Sequence, residues 1–203
     1  MLQALVLGNG ESRKSLDIEN LSNHFTTIGC NAIVRDHPMD YVVCCDVRMA
    51  QEASRINQHR VGIFVRPQNM VALNRVEIFK PLPNIPYVGT QKQDRAEHWG
   101  SGPYAVLLAT ELGFPKIVLA GFDLYPSNGK INNIYKGTQH YLPETADAVD
   151  PSYWIYQIGM IFKINPFVEF TVLNNEGWKI PEEWRHDHVH FQNINDFVVD
   201  KGN

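Results

Sequence analysis

Short apolar runs alternate with longer segments of mixed polarity along most of this chain. The runs are apolar at nearly every position rather than at every second one, which is typical of strands buried on both faces of a parallel sheet. They occupy residues 2–8, 26–31, 40–46, 61–66, 76–80, 116–121 and 169–174. The pattern therefore predicts a mostly parallel sheet whose strands are separated by other elements.

Helical patterns appear in the segments between these runs. The candidate helices cover residues 13–23, 47–57, 102–112 and 152–164. The third has the clearest ends: Ser101 is predicted to cap its N-terminus, Pro103 lies in its first turn, and Gly113 is predicted to end it. Alternation of strands and helices predicts an α/β fold with a single doubly wound, Rossmann-like sheet.

Two segments interrupt this alternation. Residues 81–100 carry three prolines and no periodicity, and residues 122–150 form a long polar connection. A connection as long as the second is usually a lid over an active site or a disordered segment. Because disordered segments are poor in aromatic residues and this one contains several tyrosines, residues 122–150 are predicted to form a lid. The tail, residues 175–203, gives no clear assignment.

Composition narrows the class of protein. The 203 residues, 44% of them hydrophobic, are enough for one domain with a sizeable core. A net charge of −4 without a basic block argues against a nucleic-acid partner. No apolar stretch reaches membrane-spanning length, and Met1 leads straight into the first predicted strand. We therefore expect a cytoplasmic protein, and the odd cysteine count, with Cys30, Cys44 and Cys45 all in apolar runs, agrees with a reducing compartment.

Polar residues follow several predicted strands at the point where each strand ends. They are Asn9, Asn31, Asp46 and Asp123. In an open α/β sheet the carboxyl ends of the strands share one edge, and ligands bind there. Any one of these residues is explained equally well by a turn or a helix cap. Their convergence on one edge predicts a polar ligand.

The first strand ends in the turn Gly8-Asn9-Gly10, which is typical of a nucleotide phosphate site and equally of a plain corner. The dinucleotide fingerprint G-x-G-x-x-G fails because position 13 is Arg, and the P-loop and nucleophile-elbow motifs are absent. The sequence also lacks Asp-x-Asp and cysteines at zinc spacing. His186, His188 and His190 would share one face of an extended chain, but a solvated tail explains them better than a metal site.

Several blocks of the sequence resemble one enzyme family. "VLGNGESRKSLDIENL" is similar to the G-N-G-P-S-L opening of the bacterial sialyltransferases of glycosyltransferase family 42, with Glu11 in place of the Pro. "IGCN" is similar to their Cys-Asn at the end of the second strand. "SGPYAVLLATELGFPKIVLAGFDLY" resembles their longest shared block, and "QHY" resembles their Ser-His-Tyr. The blocks occur in the family's order over residues 3–174.

The resemblance implies a metal-independent, inverting transfer of sialic acid or a related sugar from a cytidine monophosphate (CMP) donor to a glycan hydroxyl. It implies a sialyltransferase-like variant of the GT-A fold with a reduced lid, and no cofactor. The partners would be the nucleotide sugar and the glycan, with a homo-oligomer as one option for assembly.

The resemblance also implies roles for individual residues. His140, in the predicted lid, matches the general base, a role for which histidine is the commonest side chain, although an exposed loop histidine is an equal alternative on local evidence. Tyr125 and Tyr135 match a pair that hydrogen-bonds the leaving phosphate. The donor-binding set, taken from the match, the glycine turn and the strand ends, is Gly8, Asn9, Gly10, Ser12, Asn31, Asp46, Ser101, Gly102 and Asp123.

Two alternatives stay open from the sequence. A pterin diphosphokinase-like enzyme also opens on a glycine turn, and would move a diphosphate from ATP with magnesium held by Asp46 and Asp123. The other alternative is a nucleotide-binding module without transfer activity, for which the carboxylate of Glu11 near the supposed phosphate site is the indication.

Overall fold

The computed structural model describes residues 2–56, 62–73, 77–126 and 128–198. Within them, eight strands form one sheet in which every neighbouring pair is parallel. The strands are β1 (Gln3–Leu7), β2 (Thr26–Cys30), β3 (Tyr41–Cys44), β4 (Ile63–Val65), β5 (Phe79–Pro81), β6 (Lys116–Ala120), β7 (Glu169–Asn174) and β8 (Val189–Asn193). The predicted α/β fold with a parallel sheet is confirmed.

Helices cover both faces of the sheet. They are α1 (Ile18–Leu21), α2 (Val47–Ile56), α3 (Ser101–Glu111) and α4 (Ser152–Ile164). The first two pack on the face that carries Leu5 and Leu7, and the last two on the face that carries Ala4 and Val6. Both faces of β1 are therefore buried, which is why its sequence is apolar at successive positions. None of the helices in the described part of the chain is long and apolar enough to cross a membrane.

The order of the strands reverses at the centre of the sheet. The chain runs outward from β1 to β5, returns to place β6 beside β1, and then runs outward again to β8. The return passes through residues 82–100, whose short 3-10 helices are Lys92–Asp94 and Ala96–His98. A reversal of this kind leaves a crevice at the carboxyl ends of the two central strands, where ligands bind in open α/β sheets.

The predicted helix over residues 13–23 is wrong as a single element. The chain instead forms a 3-10 helix, Glu11–Ser15, then an extended residue, Leu16, and then α1. Asp17 starts α1 anew because its side chain accepts a hydrogen bond from the Asn20 N–H, 3.0 Å away. A local helical pattern could not reveal that Ser12 and Arg13 are buried against other parts of the fold.

The other predicted elements begin and end within a few residues of the observed ones. Residues 57, 61 and 76, which belong to three of these predictions, lie outside the described part of the chain. Ser101 is not the N-cap of α3; that position is Gly100, and Ser101 is the first helical residue. The predicted terminator Gly113 is confirmed, since it takes a positive φ of 80° just after the helix. The tail contains the edge strand β8, which was not predicted because it lacks the continuous apolar run that marks the buried strands.

Candidate active site

A cavity of about 400 Å³ opens at the carboxyl edge of the sheet, beside the reversal of strand order. We call it the strand-edge cavity. It is lined by the residues that follow β1, β2, β3 and β6 and by the first residues of α3. Nine of the predicted site residues line it: Gly8, Asn9, Gly10, Asn31, Asp46, Ser101, Gly102, Asp123 and Tyr125. Ser12, Tyr135 and His140 lie elsewhere, as described below.

The glycine turn is a corner where two strand ends touch. The Gly8 N–H donates to Ala120 O at 2.9 Å, and the Gly10 N–H donates to Gly121 O at 2.8 Å. A Cβ atom at Gly8 would collide with the Gly121 carbonyl, and one at Gly10 would collide with the Asp123 carboxyl group. The glycines therefore permit close approach of the turns after β1 and β6. Their N–H groups are used within the protein, so the turn does not offer them to a phosphate.

Asp123 stabilises the chain that follows this turn by binding Ser12. Its side chain is only 7% exposed, and it accepts hydrogen bonds from both the backbone N–H and the hydroxyl of Ser12. Its own carbonyl oxygen accepts from the indole N–H of Trp178 at 2.8 Å. Ser12 and Asp123 therefore bind each other, and Ser12 does not reach the cavity.

A chain of hydrogen bonds joins the ends of β2, β3 and α3. The Cys45 N–H donates to the Ser101 hydroxyl at 3.1 Å, and that hydroxyl donates to Asn31 Oδ1 at 3.0 Å. The hydroxyl of Ser101, the first residue of α3, is therefore used between strand ends and not in a helix cap. It also fixes the rotation of the Asn31 amide. Asn31 has a left-handed backbone, with φ at 52°, a conformation that Asn tolerates better than most residues.

The N-terminus of α3 faces the strand-edge cavity and has no side-chain cap. The first N–H groups of any helix lack an acceptor within the helix and carry partial positive charge. In this helix they belong to Ser101 and Gly102, since Pro103 has no N–H. This end of the cavity is therefore the part of its wall best suited to an anionic group.

Asn9 lines the cavity, and Tyr141 holds its side chain. Its Nδ2 donates to the Tyr141 hydroxyl at 3.1 Å, whereas its Oδ1 is buried and has no partner within the described residues. An unpaired buried amide oxygen is costly in a folded protein, so a water or ligand donor that reached it would be stabilising. The sequence analysis did not assign Tyr141, although it adjoins His140 in the "QHY" block.

The segment predicted as a lid forms one wall of the cavity. Residues 131–133 and 148–149 line it, and an antiparallel bridge joins Lys130 to Asp147. The Ile134 N–H donates to Asn9 O at 2.8 Å and ties the segment to the glycine turn. Residue 127 lies outside the described part. Opening and closing of this segment stays a prediction.

The two predicted tyrosines lie in different environments. Tyr125 lines the cavity, and burial raises the pKa of its phenol, so it remains a hydrogen-bond donor. Tyr135 is only 4% exposed and does not line the cavity. Its hydroxyl accepts from Arg13 Nη2 at 3.0 Å and donates to Asp36 Oδ2 at 2.7 Å. The structure therefore does not bring the pair together.

His140 is exposed, has a left-handed backbone with φ at 68°, and does not line the strand-edge cavity. Arg35 fixes the residues before it by donating to Thr138 Oγ1 at 2.7 Å and to Gln139 O at 3.0 Å. The guanidinium also pairs with the Glu52 carboxylate, with its Nε 2.5 Å from Oε1. The Arg35 guanidinium lowers the pKa of the Glu52 carboxyl group.

The carboxylate of Glu11 is turned away from the cavity. It pairs with Lys14 at 2.8 Å and with Lys136 at 3.2 Å, and these ammonium groups lower its pKa. Glu11 does not line the cavity. Its charge therefore does not oppose an anion there, which removes the indication for an inactive module.

A buried arginine that the sequence analysis did not assign lies under the glycine turn. Arg13 is 3% exposed, and its Nε donates to Gly8 O at 2.7 Å. Its guanidinium reaches Tyr135, which passes a hydrogen bond on to Asp36. Arg13 therefore connects the corner of β1 to the predicted lid.

Within the part of the chain that the structure describes, no three His, Cys, Asp or Glu side chains form a group able to hold a metal ion. Asp46 lies at the rim, accepts from the Arg48 N–H at 2.8 Å and pairs with the Arg48 side chain at 3.5 Å. The three histidines of the tail, His186, His188 and His190, do not gather around one point either. His190 pairs with Glu169 at 2.8 Å, and the other two, His186 and His188, stack with ring centroids 5.5 Å apart.

The fold is shared with solved sialyltransferase structures. Sialyltransferase CstII from Campylobacter jejuni in complex with the substrate analogue cytidine-5′-monophosphate is 16% identical with a TM-score of 0.54, over 85% of this chain and 79% of that chain. Sialyltransferase CST-II in complex with a trisaccharide acceptor and CMP has the same identity and TM-score, and the match covers 97% of this chain and 89% of that chain. An α-2,3/8-sialyltransferase CstII mutant is 15% identical with a TM-score of 0.56, over 97% and 90%.

No family model matches the chain, and no curated protein matches it in sequence. At the identities of the three solved structures, the likeness establishes a sialyltransferase-like fold. The chemistry of this chain has to be argued from its own residues.

Proposed function

We propose that this chain is a sialyltransferase-like glycosyltransferase that binds a CMP-sugar in the strand-edge cavity and transfers the sugar to a glycan hydroxyl. The observation that carries the proposal is that an uncapped helix N-terminus and strand-end amides face one cavity. The fold it shares with enzymes solved with CMP supports the same conclusion.

The donor would lie with its phosphate at the N-terminus of α3. The N–H groups of Ser101 and Gly102 and the amide of Asn31 would contact the phosphate, and the phenol of Tyr125 would donate to it from the opposite wall. Negative charge grows on the departing CMP in the transition state, so donors placed there stabilise the transition state more than the bound donor sugar. The side chain of Asn9, which lines the same cavity, would contact the nucleotide.

The transfer is a single displacement at the anomeric carbon. The acceptor oxygen forms the new C–O bond while the bond to the phosphate oxygen breaks, and the electron pair leaves with CMP. Attack from the opposite face inverts the configuration, through an oxocarbenium-like transition state. The acceptor proton passes to the imidazole of His140, which requires residues 122–150 to close further, as active-site lids do.

The proposal needs no metal, because the positive end of α3 and the Tyr125 phenol act on the phosphate. The diphosphokinase alternative needs magnesium on Asp46 and Asp123. Asp123 is buried and hydrogen-bonded to Ser12, and within the described residues neither Asp46 nor Asp123 belongs to a group of three side chains able to hold a metal ion. This arrangement of the two carboxylates favours the glycosyltransferase.

Replacing Asn31 by Asp tests the position of the phosphate. The aspartate keeps the hydrogen bond from Ser101 but puts a negative charge beside the helix N-terminus, so we expect CMP affinity to fall at least about tenfold. Asn128→Asp is the matched control: it adds the same charge at an exposed residue with the same φ of 52°. Calorimetric titration with CMP measures both variants. Equal affinities would place the phosphate elsewhere.

A further inference from the structure

A groove of about 680 Å³ lies next to the strand-edge cavity and shares the side chain of Tyr125 with it. We call it the Trp178 groove. It runs between the start of α4 and the residues after β7, including Trp178 and Pro181. A molecule bound in this groove and a molecule bound in the cavity would both contact Tyr125 and would lie next to each other.

Aromatic and aliphatic side chains form much of the lining of the Trp178 groove. The rings of Tyr125 and Trp178 are partly exposed, with centroids 6.2 Å apart and planes tilted by 45°. Ile155 and Ile180 extend this surface. Small-molecule sites are typically lined by aromatic and apolar side chains with a few polar groups that set the orientation. The C–H face of a pyranose ring is a ligand surface that suits such a lining.

Trp178 is held in place before any ligand binds. Its indole N–H donates to Asp123 O at 2.8 Å. Its ring packs against Trp184 and Phe191, with centroids 5.8 and 6.4 Å away. A surface fixed in this way loses little entropy on binding. Because Asp123 also binds Ser12 beside the glycine turn, it links Trp178 to the strand-edge cavity.

The rim of the groove carries as many acidic side chains as basic ones. The acidic ones are Glu182 and Glu183, and the basic ones are Lys179 and Arg185. Glu182 pairs with Arg185 at 3.2 Å. The charge of Glu183 acts on Tyr125, where it adds to the effect of burial in raising the phenol pKa. A balanced rim favours a neutral polyhydroxyl ligand over a nucleotide or a phosphate, which would need excess positive charge.

We propose that the Trp178 groove binds a neutral pyranose unit of the oligosaccharide acceptor, with the ring on Tyr125 and Trp178 and a sugar hydroxyl donating to Glu183. Its identification as an acceptor site rests on the proposed function, since the acceptor must lie beside the donor cavity. Glu183 is thus a specificity-determining residue for the acceptor.

The four tryptophans provide separate reporters for the two sites. Trp154 lines the strand-edge cavity, Trp178 lines the groove, and Trp99 and Trp184 are buried. The experiment records the indole N–H signals of ¹⁵N-labelled full-length protein by NMR. CMP is added first, followed by lactose, cellobiose or maltose as neutral disaccharide probes. We expect CMP to shift Trp154 and at least one disaccharide to shift Trp178, while Trp99 stays unchanged.

Glu183→Gln should weaken the disaccharide effect on Trp178 about tenfold, because a hydrogen bond to a carboxylate becomes one to a neutral amide. Glu176→Gln is the matched control, at an exposed residue of the same tail that does not line the groove. If no disaccharide shifts Trp178, or if both variants respond as the wild type does, the groove proposal is overturned. If the disaccharides shift Trp178 but CMP leaves Trp154 unchanged, the proposed function fails while the groove stands as a sugar site.

Discussion

Gly8→Ala is expected to lower the free energy of unfolding by about 3 kcal/mol, at the upper end of what overpacking usually costs. The added Cβ would collide with the backbone carbonyl of Gly121, and a backbone atom cannot turn aside as a side chain can. The turns after β1 and β6 would have to separate, which also breaks the 2.9 Å hydrogen bond from Gly8 N–H to Ala120 O. Urea unfolding followed by circular dichroism measures the loss.

Gly113→Ala is the control for this substitution. Gly113 has a positive φ, but no atom lies within 4 Å of the position its Cβ would take, so only backbone strain acts there. We expect it to cost about 1 kcal/mol. If Gly8→Ala unfolds at the urea concentration of the wild type, the two strand ends do not touch as described.

His140→Ala is expected to reduce sugar transfer at least about 100-fold while leaving CMP affinity unchanged. General-base catalysis is typically worth about 10²–10⁴ in rate, and His140 does not line the cavity that would hold the nucleotide. The measurement is transfer from a CMP-sugar, with CMP affinity determined by calorimetry on the same preparation.

The matched control is His24→Ala, an exposed histidine on the loop before β2, at the opposite edge of the sheet. We expect it to transfer at the wild-type rate. Turnover of the His140 variant within about threefold of the wild type would assign the acceptor proton to another group, since lost base catalysis costs far more.

The sheet was predictable because burial on both faces leaves a strong local signal. In β1, Leu5 and Leu7 pack on one face and Ala4 and Val6 on the other, so residues 4–7 are apolar at every position. β8 lacks that signal because it is an edge strand with alternating burial. The 3-10 conformation of residues 11–15 was also hidden, since the contacts of Ser12 with Asp123 and of Arg13 with Tyr135 involve residues far away in the chain. Asp17, by contrast, is a local capping signal that the helical pattern concealed.

The site was predictable as far as topology alone determines it. The rule that ligands bind at the carboxyl ends of parallel strands placed Asn9, Asn31 and Asp123 at one edge, and all three line the strand-edge cavity. The rule says nothing of which groups remain free once the fold forms. The hydrogen bonds that occupy Asp123 and the burial of Tyr135 depend on residues far away in the chain, as does the pairing of Glu11 with Lys136.

The most direct test of the central claim is a calorimetric titration of the full-length protein with CMP in a buffer containing EDTA, repeated with ATP in the presence of magnesium. The strand-edge cavity, with the uncapped N-terminus of α3 and the strand-end amides of Asn9 and Asn31 in its lining, is expected to bind CMP without metal, and more tightly than it binds magnesium-ATP. Magnesium-dependent binding of ATP, with no heat from CMP, would contradict the account and favour the diphosphokinase alternative.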